Sequence, residues 1–141
     1  DMISALVTGL LTIGPRFGGA ISDAARFFKQ ARDSGLAPEA FVEDMKQKGI
    51  RIPGIGHRIK SLENPDVRVT LLEEFVKTNF SSTPYLDYAL QVQAVTTQKK
   101  SNLILNVDGC IGITFLDFMA SSGLFTREEM EEIYGSRYPN N

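Results

Sequence analysis

Apolar residues return along this chain at intervals of three and four, in short runs separated by glycine and proline. That is the period of a helix with one buried face. The first run, Ile3 to Ile13, has the length of one helix, with Asp1 or Ser4 placed to cap it and Gly14-Pro15 to break it. A second helix is predicted after Gly18-Gly19, with Ala20, Ala24, Phe27, Phe28 and Ala31 on its apolar face and Gly35 at its end. Pro38 suits the first turn of a third. Phe41, Val42 and Met45 form its stripe, Lys46 and Lys48 suit its last turn, and Gly49 follows.

Residues 50–64 break the rhythm and read as an irregular loop holding Pro53, Gly54, Gly56, His57 and several basic side chains. Asn64-Pro65 restarts helix, an N-cap residue followed by proline, with Val67, Leu71, Leu72, Phe75 and Val76 as its stripe. Thr83-Pro84 repeats the signal, with Tyr85, Tyr88, Ala89, Val92 and Val95 along one face. The run Leu103-Ile104-Leu105 fits both a buried strand and the approach to a helix. Asp108 is a candidate cap for a helix from Gly109 to about Ala120, and Thr126-x-x-Glu129 is a capping box opening a last helix. The expected class is all-α, with no repeat and no Gly/Ser linker.

Composition narrows the function. With 141 residues, 43% hydrophobic and 23% charged, the chain is large enough for one domain with its own core. A formal charge of −2 gives no basic field for nucleic acid. The Ile3–Ile13 run is too short to span a bilayer and lacks a basic region before it, so neither a membrane anchor nor a signal peptide is expected. The single cysteine, Cys110, excludes an intrachain disulfide and favours a reducing, cytoplasmic setting. One cysteine and one histidine argue against a metal site. The chain opens directly on an apolar helix without an initiator methionine and closes on residues 134–141 without helical pattern; we therefore expect a fragment of something longer.

Candidate chemistry gathers in three places. His57 lies in Pro53-Gly54-Ile55-Gly56-His57-Arg58, where glycines let backbone approach a ligand closely and a histidine can act as acid or base. A lone loop histidine is also often bonded to nearby backbone. Asp108, in Asn106-Val107-Asp108-Gly109, is either a plain helix cap or a carboxylate aimed into a cleft, where it would accept a proton from carbon or return one. Basic residues cluster at Lys46, Lys48, Arg51, Arg58, Lys60 and Arg68, and again at Lys99-Lys100. Solvated surface explains any one of them, while an anion carrying several phosphates or carboxylates would suit the group. The Gly14-Pro15-Arg16-Phe17-Gly18-Gly19 turn, at a helix start, is a further place for an anion.

Taken in order, Gly14-Pro15 with Gly18-Gly19, then Gly54-Ile55-Gly56-His57-Arg58-Ile59-Lys60-Ser61, Asn64-Pro65-Asp66-Val67-Arg68 and Asn102 to Gly109 resemble the citrate synthase superfamily. Within it they are similar to the citryl-CoA-cleaving part of the ATP-citrate lyases. The likeness covers residues 1 to about 132, and four linked motifs make it specific. It implies a citrate-synthase-like helical fold over 1–133, with the smaller, CoA-closing domain at about 17–120 and an unmatched tail at 134–141. It also implies roles. His57 acts on the substrate oxygen, as base for the hydroxyl proton in cleavage. Asp108 handles the proton of the acetyl methyl carbon. Arg68 and Arg58 bind the carboxylates of citrate or oxaloacetate. Arg51, Ile52, Gly54, Ile55 and Gly56 lie along the coenzyme A adenine, Lys99 and Lys100 reach its phosphates, and Asn106 sits near the thioester arm. Phe17 stands at the substrate end of the first turn, where citrate synthases resemble one another in a histidine; this sets the chain apart from citrate synthase proper.

The same likeness implies that a second substrate histidine lies before residue 1 and a substrate arginine after about residue 133, so the isolated chain is expected to be inactive. ATP and Mg belong to other parts of the parent enzyme, and a homo-oligomer through the citrate-synthase-like region is implied. Two other readings stay open at this point: a stand-alone citryl-CoA lyase, and a non-catalytic helical module that binds CoA or a partner.

Overall fold

Helices in this chain begin and end where side chains or glycine can take over the backbone groups that a helix leaves unpaired. The computed structural model describes residues 1–12 and 19–135. Among them are seven α-helices: α1 Met2–Leu11, α2 Gly19–Asp33, α3 Pro38–Gln47, α4 Val67–Asn79, α5 Pro84–Thr97, α6 Val107–Ser122 and α7 Arg127–Tyr134. The all-α expectation holds. Several local signals act as read: Asp1 caps α1 through the N–H of Ser4, Pro38 and Pro84 open their helices, and Thr126 and Glu129 bond reciprocally as a capping box. Gly35 and Gly49 follow α2 and α3 in the left-handed region. Phe17 and the rest of 13–18 lie outside the described residues, as does the tail from 136 onward.

Two starts and one capping bond differ from expectation. The fourth helix is capped by Asp66, whose side chain accepts the N–H of Arg68, and Asn64-Pro65 stays in the loop before it. The sixth is capped by Asn106 through the N–H of Gly109, which places Asp108 inside the first turn rather than at the cap. Thr83 makes no capping bond for α5; the N–H groups of Tyr85 and Leu86 go instead to Asp117 of α6. In each case the chain offers several acceptors, and tertiary packing selects among them.

The core lies around α6, which packs on α2, α4 and α5. Ala25 and Phe28 of α2, Phe41 and Met45 of α3, Val76 of α4, Leu86 and Val92 of α5, and Cys110, Ile113 and Leu116 of α6 form one buried cluster. Burying each large member stabilises the fold by roughly 1.5–3 kcal/mol. Phe28 meets Phe41 and Tyr88 edge-on, with ring centres 5.7 and 6.4 Å away. On α4 the buried positions are Val69 and Val76, whereas Val67, Leu71 and Phe75 of the expected stripe are exposed. That helix carries two overlapping apolar faces, and only one meets α6. None of the residues of α1 is buried. Among the described residues no helix is long and apolar enough to cross a membrane.

Candidate functional site

The loop 50–64 is irregular in dihedral angles but tightly held. It runs antiparallel to the segment before α6, with Ile55 and Leu105 forming a bridge. Gly56 N–H donates to Ile104 O at 2.7 Å, His57 N–H to Asn102 O at 2.9 Å and Leu62 N–H to Ser101 O at 3.0 Å. Asn102 returns a side-chain bond to the carbonyl of His57 at 2.9 Å. Asn106 joins the two strands of this ladder twice: its backbone N–H donates to Gly54 O, and its side chain to Gly56 O at 3.0 Å. Its Oδ1 meanwhile caps α6. One asparagine thus couples the glycine-rich loop to the helix that carries Asp108.

Gly54 explains how the loop comes so near. It is buried with φ +84°, and a Cβ built there would stand 2.6 Å from Gly109 Cα and 2.9 Å from the Ala24 side chain. A Cβ on Gly109 would stand 2.6 Å from Gly54 O. Backbone rests on backbone, and neither position has room for a side chain.

His57 is half-buried at the end of this ladder. Its Nδ1 accepts two backbone N–H groups, from Ile59 at 3.0 Å and Lys60 at 2.9 Å. Amide N–H groups can only donate, so Nδ1 carries no proton and the neutral ring bears its hydrogen on Nε2. Nδ1 is closed to substrate. The backbone engagement expected of a loop histidine is thus made through Nδ1.

Arg68, in the first turn of α4, is held by Asp66, which accepts its Nε at 3.0 Å and its Nη2 at 2.7 Å. This contact holds the carboxyl of Asp66 down at about 2. It also raises Arg68 above its ordinary value.

The expected cofactor residues divide. Gly54, Ile55, Gly56 and Asn106 meet in the ladder. Ile52 packs partly buried against the core. Arg51, Arg58, Lys99 and Lys100 are exposed. Lys99 and Lys100 lie in the turn after α5, next to Ser101 and Asn102, which hold the loop. Lys46 and Lys48 are instead engaged by Glu43 and Asp44 of their own helix. Asp66 and Asn102 are the residues whose part in building the site sequence reasoning missed, together with the capping and ladder bonds of Asn106. Their signal was weak: each is a short polar residue next to a motif. Cys110 is buried behind the site, where burial pushes its thiol up to about 12 and removes it as a nucleophile. Among the described residues no group of three or more His, Cys, Asp or Glu side chains is placed to hold a metal.

Comparison with known proteins fits this arrangement. Residues 1–127 match the family model described as citrate synthase, C-terminal domain. ATP-citrate synthase beta chain protein 1 of Arabidopsis thaliana is 59% identical over 140 residues, which are 99% of this chain and 23% of that protein. The structure of ATP citrate lyase from Methanothrix soehngenii in complex with citrate and coenzyme A superposes with a TM-score of 0.91 at 65% identity, over 95% of this chain and 22% of that one. Citryl-CoA lyase from Hydrogenobacter thermophilus superposes with a TM-score of 0.75 at 26% identity, over 95% of this chain and 50% of that one. The chain thus spans less than a quarter of the ATP-citrate synthase and lyase chains it matches.

Proposed function

The chain belongs to the citrate synthase family by its C-terminal domain, and from that premise we propose that it is the CoA-binding, carbon–carbon-cleaving region of an ATP-citrate lyase. The observation that carries the reading is the coupling of the His57 loop to the first turn of α6 through Asn106. On this reading His57 is the donor for a substrate oxygen, Asp108 the carboxyl group for a carbon acid and Arg68 the cation for a carboxylate. Identity of 59–65% to ATP-citrate synthases and lyases, against 26% to citryl-CoA lyase, favours the former as parent.

The reaction is a retro-Claisen cleavage of citryl-CoA. The hydroxyl proton passes to solvent water and the oxygen becomes the ketone of oxaloacetate, while the electron pair of the breaking C–C bond passes to the acetyl-CoA enolate. Asp108 protonates that enolate on carbon; in the condensing direction it removes the same proton. His57 meets the substrate oxygen through Nε2. Because Nδ1 is engaged and Nε2 carries the ring's hydrogen, the neutral ring donates to that oxygen and does not take its proton, which replaces the expectation of His57 as a base. Arg68, with Arg58, takes the carboxylates of citrate or oxaloacetate through forked donors. Arg51, Ile52 and the Gly54–Gly56 backbone line the adenine of CoA, Lys99 and Lys100 its phosphates, and Asn106 its thioester arm. Residues 17–120 form the smaller domain that closes over CoA, in a homo-oligomeric cytoplasmic parent whose other parts use ATP and Mg.

The test is Asp108→Asn in the full-length protein that carries this chain. The substitution nearly preserves shape and leaves the Asn106 cap untouched. Acetyl-CoA formation is expected to fall by about 10²–10⁴-fold, with CoA still bound. Near-normal acetyl-CoA formation would reduce Asp108 to a helix-end residue.

A further inference from the structure

We propose that Asp66 is a positioning residue that presents the guanidinium of Arg68 to a carboxylate of the substrate; this rests on the reading of Arg68 given above. The observation is how many bonds one buried carboxylate carries. Asp66 is only 5% exposed, and its Oδ1 accepts the backbone N–H of Arg68 at 3.1 Å. That single bond suffices to cap α4. Yet Oδ1 also accepts Nε of Arg68 at 3.0 Å, and Oδ2 accepts Nη2 at 2.7 Å. The second oxygen has no part in the cap.

The gripped side chain is itself 63% exposed. An arginine so far into solvent ordinarily keeps much of its rotamer freedom, and ordering it on binding costs free energy. Here the fork from Asp66 removes that freedom beforehand. It occupies Nε and one N–H of Nη2, which is one edge of the planar group. The other edge, formed by Nη1 and the remaining N–H of Nη2, has the spacing that accepts a second carboxylate side by side. Asp66 also withdraws that first edge from competition, so an incoming carboxylate meets a single productive orientation. The class of ligand follows: a planar carboxylate of a di- or tricarboxylic acid, read by geometry as well as by charge.

The experiment uses the full-length protein that carries this chain. Asp66→Asn keeps an oxygen for the cap and puts an NH₂ where Oδ2 faced Nη2, so donor confronts donor. Asp66→Ser keeps a capping oxygen and deletes the fork. Each is expected to raise KM for the carboxylate substrate about tenfold, as a displaced positioning group does, with KM for CoA and the thermal midpoint near those of the parent. Unchanged KM for the carboxylate substrate in either folded variant overturns the proposal. So does failure of both variants to fold, which would make Asp66 a fold residue only. Arg68→Ala separates the two layers. If it leaves that KM unchanged, the assignment of Arg68 is wrong; if it raises KM and the Asp66 variants do not, positioning alone is wrong.

Discussion

The carboxylate of Asp117, midway along α6, accepts the backbone N–H of Tyr85 at 2.9 Å, and its other oxygen accepts that of Leu86 at the same distance. One helix thus caps another from inside the core. Asp117 is fully buried, and burial pushes its carboxyl up to about 6 despite the two N–H groups that hold it down. Asp117→Ala leaves two buried donors at the start of α5 without partners. Each such donor costs about 1–3 kcal/mol, so a loss of about 2–6 kcal/mol is expected in urea denaturation.

The same group gives a pH dependence of definite sign. Its folded value lies above the ordinary one of 3.8, so between pH 4 and pH 6 the folded chain binds more protons than the unfolded chain. Stability contributed by Asp117 is therefore complete below about pH 4, declines as pH rises to about 6 and is level beyond. The decline amounts to about 2–3 kcal/mol. Denaturation midpoints of the parent and of Asp117→Asn, compared from pH 4 to pH 7, are expected to differ in slope over that window alone.

His57→Asn separates the two nitrogens of the ring. An asparagine oxygen can take the place of Nδ1 and accept the N–H groups of Ile59 and Lys60, while nothing replaces Nε2. In the full-length protein, CoA binding by titration calorimetry is expected to survive and carbon–carbon cleavage to fall by about 10²–10⁴-fold. Loss of CoA binding together with activity would mark His57 as a scaffold for the loop.

Lys99 and Lys100 are exposed, so their contribution to binding a phosphate-bearing ligand must be sensitive to salt. Replacing both by alanine is expected to weaken CoA binding several-fold at low ionic strength and to flatten its salt dependence. Equal affinities of parent and variant at every salt concentration would remove these lysines from the site.

Gly112 faces α2 so closely that a Cβ on it would stand 2.5 Å from the carbonyl oxygen of Ile21. Backbone cannot retreat as a side-chain tip can. Gly112→Ala is expected to cost about 1–3 kcal/mol by overpacking, read as a lowered thermal midpoint. An unchanged midpoint would mean that α2 and α6 separate more readily than their packing implies.

Signals confined to four or five residues were legible in the sequence. The Thr126–Glu129 capping box, the prolines opening α3 and α5 and the glycines after α2 and α3 stand where the pattern put them. The starts of α4 and α6 were misassigned, and α5 starts where read but without a bond from Thr83, because Asn64, Asp66, Thr83, Asn106 and Asp108 are all competent acceptors. Only the third dimension selects Asp66, Asn106 and a residue as distant as Asp117. The motifs around His57 and Asp108 stood out, yet nothing in their spacing joined them. That link is made by Asn102 and Asn106, whose bonds cross from one segment to the other.

Contact of Gly54 with Gly109 also has a mechanical meaning. With the ladder from Gly54 to Leu62 closed on Ser101 to Asn106, the His57 loop and the first turn of α6 form a single rigid jaw. On the function proposed above, an opening that admits CoA bends the chain at other joints, and His57 and Asp108 travel through it together, their spacing preset before the ligand arrives.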